Sequence, residues 1–380
     1  MDMNLHFHRK ASEKESAFFR KHGKEEYTVF TVKGSRANII QKVTDKYIYV
    51  KTEKGSKANR IPRSSIRSAL SELFFKRVTT LKQLIKLNAY SSALAAIIKA
   101  IMIDVCKVVL TKTGGVRLTL RGLRYVFSGV GNRKKDLRIV KQNGGHFVLL
   151  NYVLIRNDLS CSWKDHLLEL GYGNNCILID PGEKTIYDAQ TKGRTIKPID
   201  IDEYAAFIMR HSEMIYQYMT VDKIGDPVTT KMNTEYLERV VGRRPMPIFH
   251  IQNTLDVLQT IVDEEHDVIA IGGSALRSVS HQRKNEAFRA IFERFGDTAN
   301  FHALGLGSME LLLRYNWFSA DASSWLNARR FGTLITMAGT SRLSTHMSSR
   351  EGLGFNVRIL AALEERYNDI QLSNDMLCYS

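Results

Sequence analysis

Six apolar runs in the C-terminal two thirds of the chain end in a polar residue or a glycine turn. Cys176-Ile-Leu-Ile leads into Asp180, Tyr218-Met-Thr-Val into Asp222, and Pro247-Ile-Phe-His-Ile into Gln252. Val268-Ile-Ala-Ile leads into Gly272-Gly273, Phe301-His-Ala-Leu304 into Gly305-Leu-Gly307, and Trp317-Phe-Ser-Ala into Asp321. A carboxylate at such a position can serve as nucleophile, general acid or base, or hydrogen-bond acceptor. Glycine turns let backbone N–H groups approach a ligand closely. The competing reading is that Asp follows a strand because it caps the next helix. Asp180, Asp222, Asp321 and His250 are also of the ligand types that suit Mg²⁺ or Zn²⁺. No H-E-x-x-H motif accompanies them, so no metal is expected. His250 and His302, each inside an apolar run, read as satisfied core histidines.

These residues converge only if the runs are neighbouring strands. Counting from residue 121, the apolar runs are 123–128, 147–153, 176–180, 215–221, 247–251, 268–271, 301–304 and 317–320. Helix-length amphipathic segments follow most of them, as βα units require. Eight such units predict a (β/α)₈ TIM barrel, whose active site lies at the C-terminal ends of the strands. An open doubly wound sheet is the other candidate, but the G-x-G-x-x-G fingerprint is absent.

The first third is different. Residues 1–118 hold 24 of the 55 Lys/Arg but only 9 of the 39 Asp/Glu, so nearly all of the formal charge of +16 lies there. Residues 1–26 read as a charged helix, and 27–32, 38–43 and 47–52 as an antiparallel meander. Pro62 and Ser64 open a helix, 81–103 has helical periodicity, and 106–110 with 116–120 reads as a hairpin. The expected organisation is a basic α+β domain over 1–118 and a barrel over 119–380. Lys33, Arg36, Lys54, Lys57, Arg60, Arg63 and Arg67, in or beside the meander, are candidate phosphate contacts. Arg133-Lys134-Lys135 adds a basic cluster on a predicted loop after the first barrel strand. Four scattered cysteines without a C-x-x-C pair argue against a disulfide framework and point to a reducing, cytoplasmic setting. The longest apolar stretch, interrupted by Lys99 and Asp104, is too short and too charged to span a bilayer.

Three stretches together resemble a known family. Ile269-Ala-Ile-Gly-Gly-Ser274, Ala303-Leu-Gly-Leu-Gly-Ser-Met-Glu-Leu-Leu312 and Trp317-Phe-Ser-Ala-Asp321-Ala-Ser-Ser-Trp325 look like the tRNA-guanine transglycosylase superfamily. They look closest to its DNA-modifying branch, the small phage-type DpdA-like DNA-guanine transglycosylases. Ser319 to Trp325 matches that branch's nucleophile segment except at Ala322, and Leu178-Ile-Asp180-Pro-Gly-Glu183 resembles the family's Asp-Ser-Gly motif. The resemblance covers about residues 121–335 and rests on the order and spacing of short motifs.

The resemblance implies exchange of guanine in a nucleic acid for a 7-deazaguanine base, with no cofactor. Asp321 would be the nucleophile at the sugar C1′ and Asp180 the general acid/base. Asp222, Gln252, Gly272, Gly273, Leu304 and Gly305 would bind the base. The chain departs from the family at Pro181-Gly182-Glu183-Lys184, where Ser, Gly and an aromatic are usual. It also lacks the tRNA enzymes' Cys₃His zinc site, since only Cys378 follows Asp321. With about 60 residues after Asp321 there is no room for C-terminal RNA-binding domains, which favours DNA over tRNA as the polymer. The remaining alternatives are a non-catalytic nucleic-acid-binding barrel and a hydrolase that uses the same two carboxylates with water.

Overall fold

The computed structural model describes residues 3–366 except 35, 54, 112, 113 and 277. The chain divides into two compact units, Met1–Arg121 and Gly122–Ser380.

The first unit opens with α1 (Met3–His22) and a four-stranded antiparallel sheet of β1 (Tyr27–Phe30), β2 (Ala37–Val43), β3 (Tyr47–Thr52) and β4 (Asn59–Pro62), in that order. One face is apolar: Val29, Ile40, Ile48, Val50 and Ile61 are all buried. The fourth strand is absent from the sequence reading because Ile61 is its only core side chain; pairing of Ile61 with Ile48 holds it in place. The chain continues through α2 (Arg63–Lys76), β5 (Val78–Thr80), α3 (Leu81–Leu84), α4 (Ser91–Ile101), β6 (Cys106–Leu110) and β7 (Val116–Leu120). The segment expected as one helix over 81–103 is two helices. Thr80 and Gln83 form a capping box that starts α3. The Asn88 side chain then accepts from the Tyr90 N–H at 2.9 Å, and this local turn displaces the helical path.

The second unit places all eight expected runs in one parallel sheet. They are β8 (Arg124–Phe127), β9 (Val148–Asn151), β10 (Ile177–Asp180), β11 (Ile215–Tyr218), β12 (Ile248–His250), β13 (Ile269–Gly272), β14 (Phe301–Ala303) and β15 (Ser319–Ala322). The order is β11-β10-β9-β8-β15-β14-β13-β12. A parallel bridge between Met219 and Met246 joins the two ends, with the Met246 N–H on Tyr218 O at 2.8 Å and the Thr220 N–H on Met246 O at 3.0 Å. The unit is therefore a (β/α)₈ barrel. Its strands are buried almost throughout, as parallel strands covered on both faces must be.

The helical connections are α5 (Lys134–Gln142), α6 (Tyr152–Ile155), α7 (Ser162–Glu169), α8 (Glu183–Gln190), α9 (Ile201–Arg210), α10 (Pro227–Val241), α11 (Leu255–Asp263), α12 (His281–Phe295) and α13 (Met309–Arg314). After the last strand come α14 (Asn327–Phe331), a hairpin of β16 (Thr333–Thr336) and β17 (Gly339–Arg342), and α15 (Ser349–Ala362). α10 shows how local chemistry starts a helix and ends it. Asp226 accepts from the Thr229 N–H at 2.9 Å, Pro227 occupies the first turn, and Gly242 closes it in the left-handed region. Arg133-Lys134-Lys135, expected on a loop, starts α5 instead. The last strand begins at Ser319, because Trp317 is pinned below it by its indole N–H on Leu311 O at 3.0 Å. Asp321 therefore lies within the strand, paired in register with Val126.

Candidate active site

The C-terminal ends of the barrel strands surround a cavity of about 530 Å³. Asp180, Asp222 and Asp321 all line it. None of them caps the helix that follows: α8 is capped by Gly182, α10 by Asp226, and α14 follows a 3₁₀ turn after Ser323. The capping alternative for these carboxylates is thereby set aside.

Asp321 is 4 % exposed and held on one oxygen. Its Oδ1 accepts the Gly305 N–H at 2.9 Å and lies 3.3 Å from His302 Nε2. His302 is fully buried on the neighbouring strand, and its Nδ1 is 2.9 Å from Ser319 Oγ. A carboxylate only accepts, so Nε2 carries the proton and, in the neutral ring, Nδ1 takes the serine hydroxyl's hydrogen. This fixes the tautomer and aims the ring. Both contacts fall on Oδ1, and Oδ2 is left as the oxygen available for chemistry. On the other side, the Tyr125 hydroxyl donates to Ala322 O at 3.1 Å and lies 3.0 Å from Ser324 Oγ, bracing the strand end. Burial raises the Tyr125 phenol, so it stays protonated and keeps that donor.

Asp180 ends β10. Its Oδ1 accepts the Gly182 N–H at 2.9 Å. Burial, together with the charges of Asp321 and Asp222, pushes this carboxyl up to about 7. Gly182 has φ +102°, and a Cβ there would fall 2.5 Å from Asn151 Oδ1, so the tight turn after Asp180 depends on glycine. Asn151 is itself a wall residue, with its amide donating to Thr185 Oγ1 at 2.9 Å. Glu183 is pushed up to about 7, by burial first and by Asp222 second.

Asp222 pairs with a histidine. Its Oδ2 is 2.7 Å from His250 Nε2, and both side chains are buried. The ring has room because residue 272 is glycine: a Cβ there would lie 3.2 Å from His250 Nδ1. Nδ1 itself is buried with no hydrogen-bond partner.

The structure sorts the sequence candidates. Asp321, Asp180, Asp222, Gly273, Leu304 and Gly305 share the cavity wall. Gly305, expected among the base-binding residues, gives its N–H to Asp321. Gln252 and Gly272 are not on the wall. Gln252 is exposed, its amide donating to Gly273 O at 3.3 Å, and Gly272 stands behind the His250 ring. The histidines expected to be satisfied core residues are buried and hydrogen-bonded, and their partners are two of the wall carboxylates, Asp222 and Asp321. Their positions one strand away from Asp222 and Asp321 were the signal, and it becomes readable only once strand order is known. Among the described residues no group of three or more His, Cys, Asp or Glu is arranged to hold a metal ion.

In the first unit, Arg63 and Arg67 have a carboxylate partner within the fold. Both hold the fully buried Glu15, Arg63 with a second contact of 2.8 Å to Oε2 and Arg67 at 3.3 Å. A buried carboxylate demands such cations. Lys33, Arg36, Lys57 and Arg60 are exposed, and Lys54 lies outside the described residues. In the barrel, Arg133 reaches Asp136 at 3.2 Å and Lys134 pairs with Glu169, while Lys135 is exposed. Cys106, Cys161 and Cys176 are free thiols, and Cys378 lies outside the described residues. Among the described residues no helix is long and apolar enough to cross a membrane.

No family model and no curated protein matches the chain. Among solved structures, the tryptophan synthase alpha chain of Legionella pneumophila subsp. pneumophila is similar at 8% identity and TM-score 0.38, covering 67% of this chain and 92% of that one. A chain of the tryptophan synthase complex from the hyperthermophile Pyrococcus furiosus is similar at 11% identity and TM-score 0.38, covering 64% and 99%. At these scores neither likeness bears on function.

Proposed function

We propose that the barrel is a DNA-guanine transglycosylase that exchanges guanine in DNA for a 7-deazaguanine base. One observation carries the reading: two carboxylates on one cavity wall are held in contrasting surroundings. Asp321 is buried and held by two donors on Oδ1, which leaves Oδ2 aimed as a nucleophile. Asp180 titrates near 7, which suits a group that gives and takes a proton at neutral pH.

The chemistry parallels that of retaining glycosidases. Asp321 Oδ2 attacks the sugar C1′, the C1′–N9 bond breaks, and its electron pair leaves with guanine as Asp180 supplies a proton. The product is a sugar–aspartyl ester. Asp180, now ionised, removes the N9 proton of the incoming base. N9 attacks C1′, and Asp321 is released. One glycosidic bond replaces another, so no energy source is needed. Asp222, fixed by His250, would accept from the N–H groups of the guanine-like edge. Leu304 would lie against the ring, and Gly273 would offer backbone at the base carbonyl.

The test is incubation with single-stranded DNA, duplex DNA and tRNA, each with labelled 7-deazaguanine bases, read by nucleoside mass spectrometry. Label in DNA is expected. Label in tRNA alone would assign the same chemistry to the other polymer. Loss of guanine without label would make the protein a hydrolase.

A further inference from the structure

We infer that the open face of the four-stranded sheet in the first unit is a stacking platform for single-stranded DNA. The choice of DNA rests on the function proposed above; the stacking surface stands on its own observations. The buried face of β1–β4 uses Val29, Ile40, Ile48, Val50 and Ile61, and strand alternation sends the intervening residues to the opposite face. Register places Lys42, Tyr49 and Arg60 side by side across β2, β3 and β4, and Thr28, Ile39 and Lys51 across β1, β2 and β3. The irregularity in β2 between Ile40 and Lys42 is what brings Lys42 onto this face opposite Tyr49. The Arg60 guanidinium lies 4.6 Å from the centre of the Tyr47 ring. Phe30 is 58 % exposed at the β1 edge.

Three aromatic rings on a hydrated sheet face, half-buried or exposed, have no core to fill. Lysines and an arginine stand between them. Residues 27–62 carry eight Lys/Arg against two Asp/Glu, Asp45 and Glu53. The β1–β2 and β3–β4 loops lie at the same end of the sheet, joined by the Glu53 N–H on Ala37 O at 3.2 Å, and there Lys33, Arg36 and Lys57 extend the positive surface. Flat π surfaces interleaved with cations match unpaired bases and their phosphates. A duplex hides its base faces, so it would meet only the charges.

The experiment uses the full chain and fluorescence anisotropy with oligothymidylate, a duplex of equal length and oligouridylate. Tyr47→Ala/Tyr49→Ala should weaken oligothymidylate binding about 5- to 100-fold. Tyr47→Phe/Tyr49→Phe should bind as the wild type does, which separates stacking from folding. Lys42→Glu/Lys51→Glu should weaken binding and reduce its salt dependence. Cross-linking of an iodouracil-substituted strand should map to the peptides holding Tyr47 and Tyr49. Unchanged affinity in the alanine variant, or equal binding of the duplex, would overturn the platform. Tighter binding of oligouridylate would overturn the choice of DNA. Asp321→Asn serves as the control: it should bind oligothymidylate normally whatever the fate of base exchange. A failed exchange assay would thus count against the proposed function alone.

Discussion

Under the proposed mechanism one carboxylate attacks and another moves protons, and the barrel gives Asp321 and Asp180 unlike surroundings. Asp321→Asn should reduce base exchange at least about 1,000-fold with DNA affinity retained, because it removes the nucleophile and not a polymer contact. His302→Phe removes one of the two donors on Asp321 Oδ1 and frees its aim. It should lower kcat about 10- to 100-fold with little change in KM, measured by steady-state exchange kinetics. The raised Asp180 has two pH signatures. Exchange should decline as pH rises through about 7, since guanine departure needs the protonated form. Stability follows the same group. The unfolded chain ionises Asp180 near its ordinary 3.8, whereas the folded chain keeps the proton to about 7. Between those values the native state binds more protons, so stability falls as pH rises across that window and levels off above it. Asp180→Asn should remove its share of this slope, leaving that of Glu183, and be more stable than wild type at pH 8 by about 1–3 kcal/mol, read from thermal unfolding at several pH values.

At the scale of elements, strands, turns and caps decide which side chains meet. All eight barrel strands were legible because parallel buried strands are short apolar runs bounded by polar or glycine breaks. Their ends were less so: Asp321 reads as the residue after a strand, and the anchoring of Trp317 makes it part of one. Strand order is a long-range property, so the pairings of His302 with Asp321 and His250 with Asp222 were not legible. In the sequence these residues lie 19 and 28 positions apart. The ion network of Glu15 with Arg63 and Arg67 was hidden for the same reason, and it gives two of the expected phosphate contacts a partner inside the fold. Turn geometry carries its own test. Gly182→Ala forces a left-handed Cβ into Asn151 and Val153, beside the N–H that holds Asp180. It should destabilise the barrel by about 1–3 kcal/mol in denaturant unfolding and impair exchange as well. Gly242, also left-handed but with open space around it, should tolerate alanine with the backbone cost alone, about 1 kcal/mol, and full activity.

For the molecule as a whole, charge and chemistry are divided between two units. The first carries nearly all the excess of Lys/Arg, and the second carries the carboxylate-lined cavity. Substituting Lys33, Arg36 and Lys57 together by Glu should weaken DNA binding and flatten the slope of log affinity against log salt by about three charges' worth. Exchange at saturating DNA should be unchanged. The central claim is a covalent bond between Asp321 and the sugar. Its most direct measurement is a denaturing gel of a labelled DNA strand incubated with the protein in the absence of free base, followed by peptide mapping of the retained species. A protein–DNA adduct on the peptide containing Asp321, lost when a 7-deazaguanine base is added and absent in Asp321→Asn, is the result expected. A reaction that proceeds with no adduct, or an adduct that persists in Asp321→Asn, would contradict it.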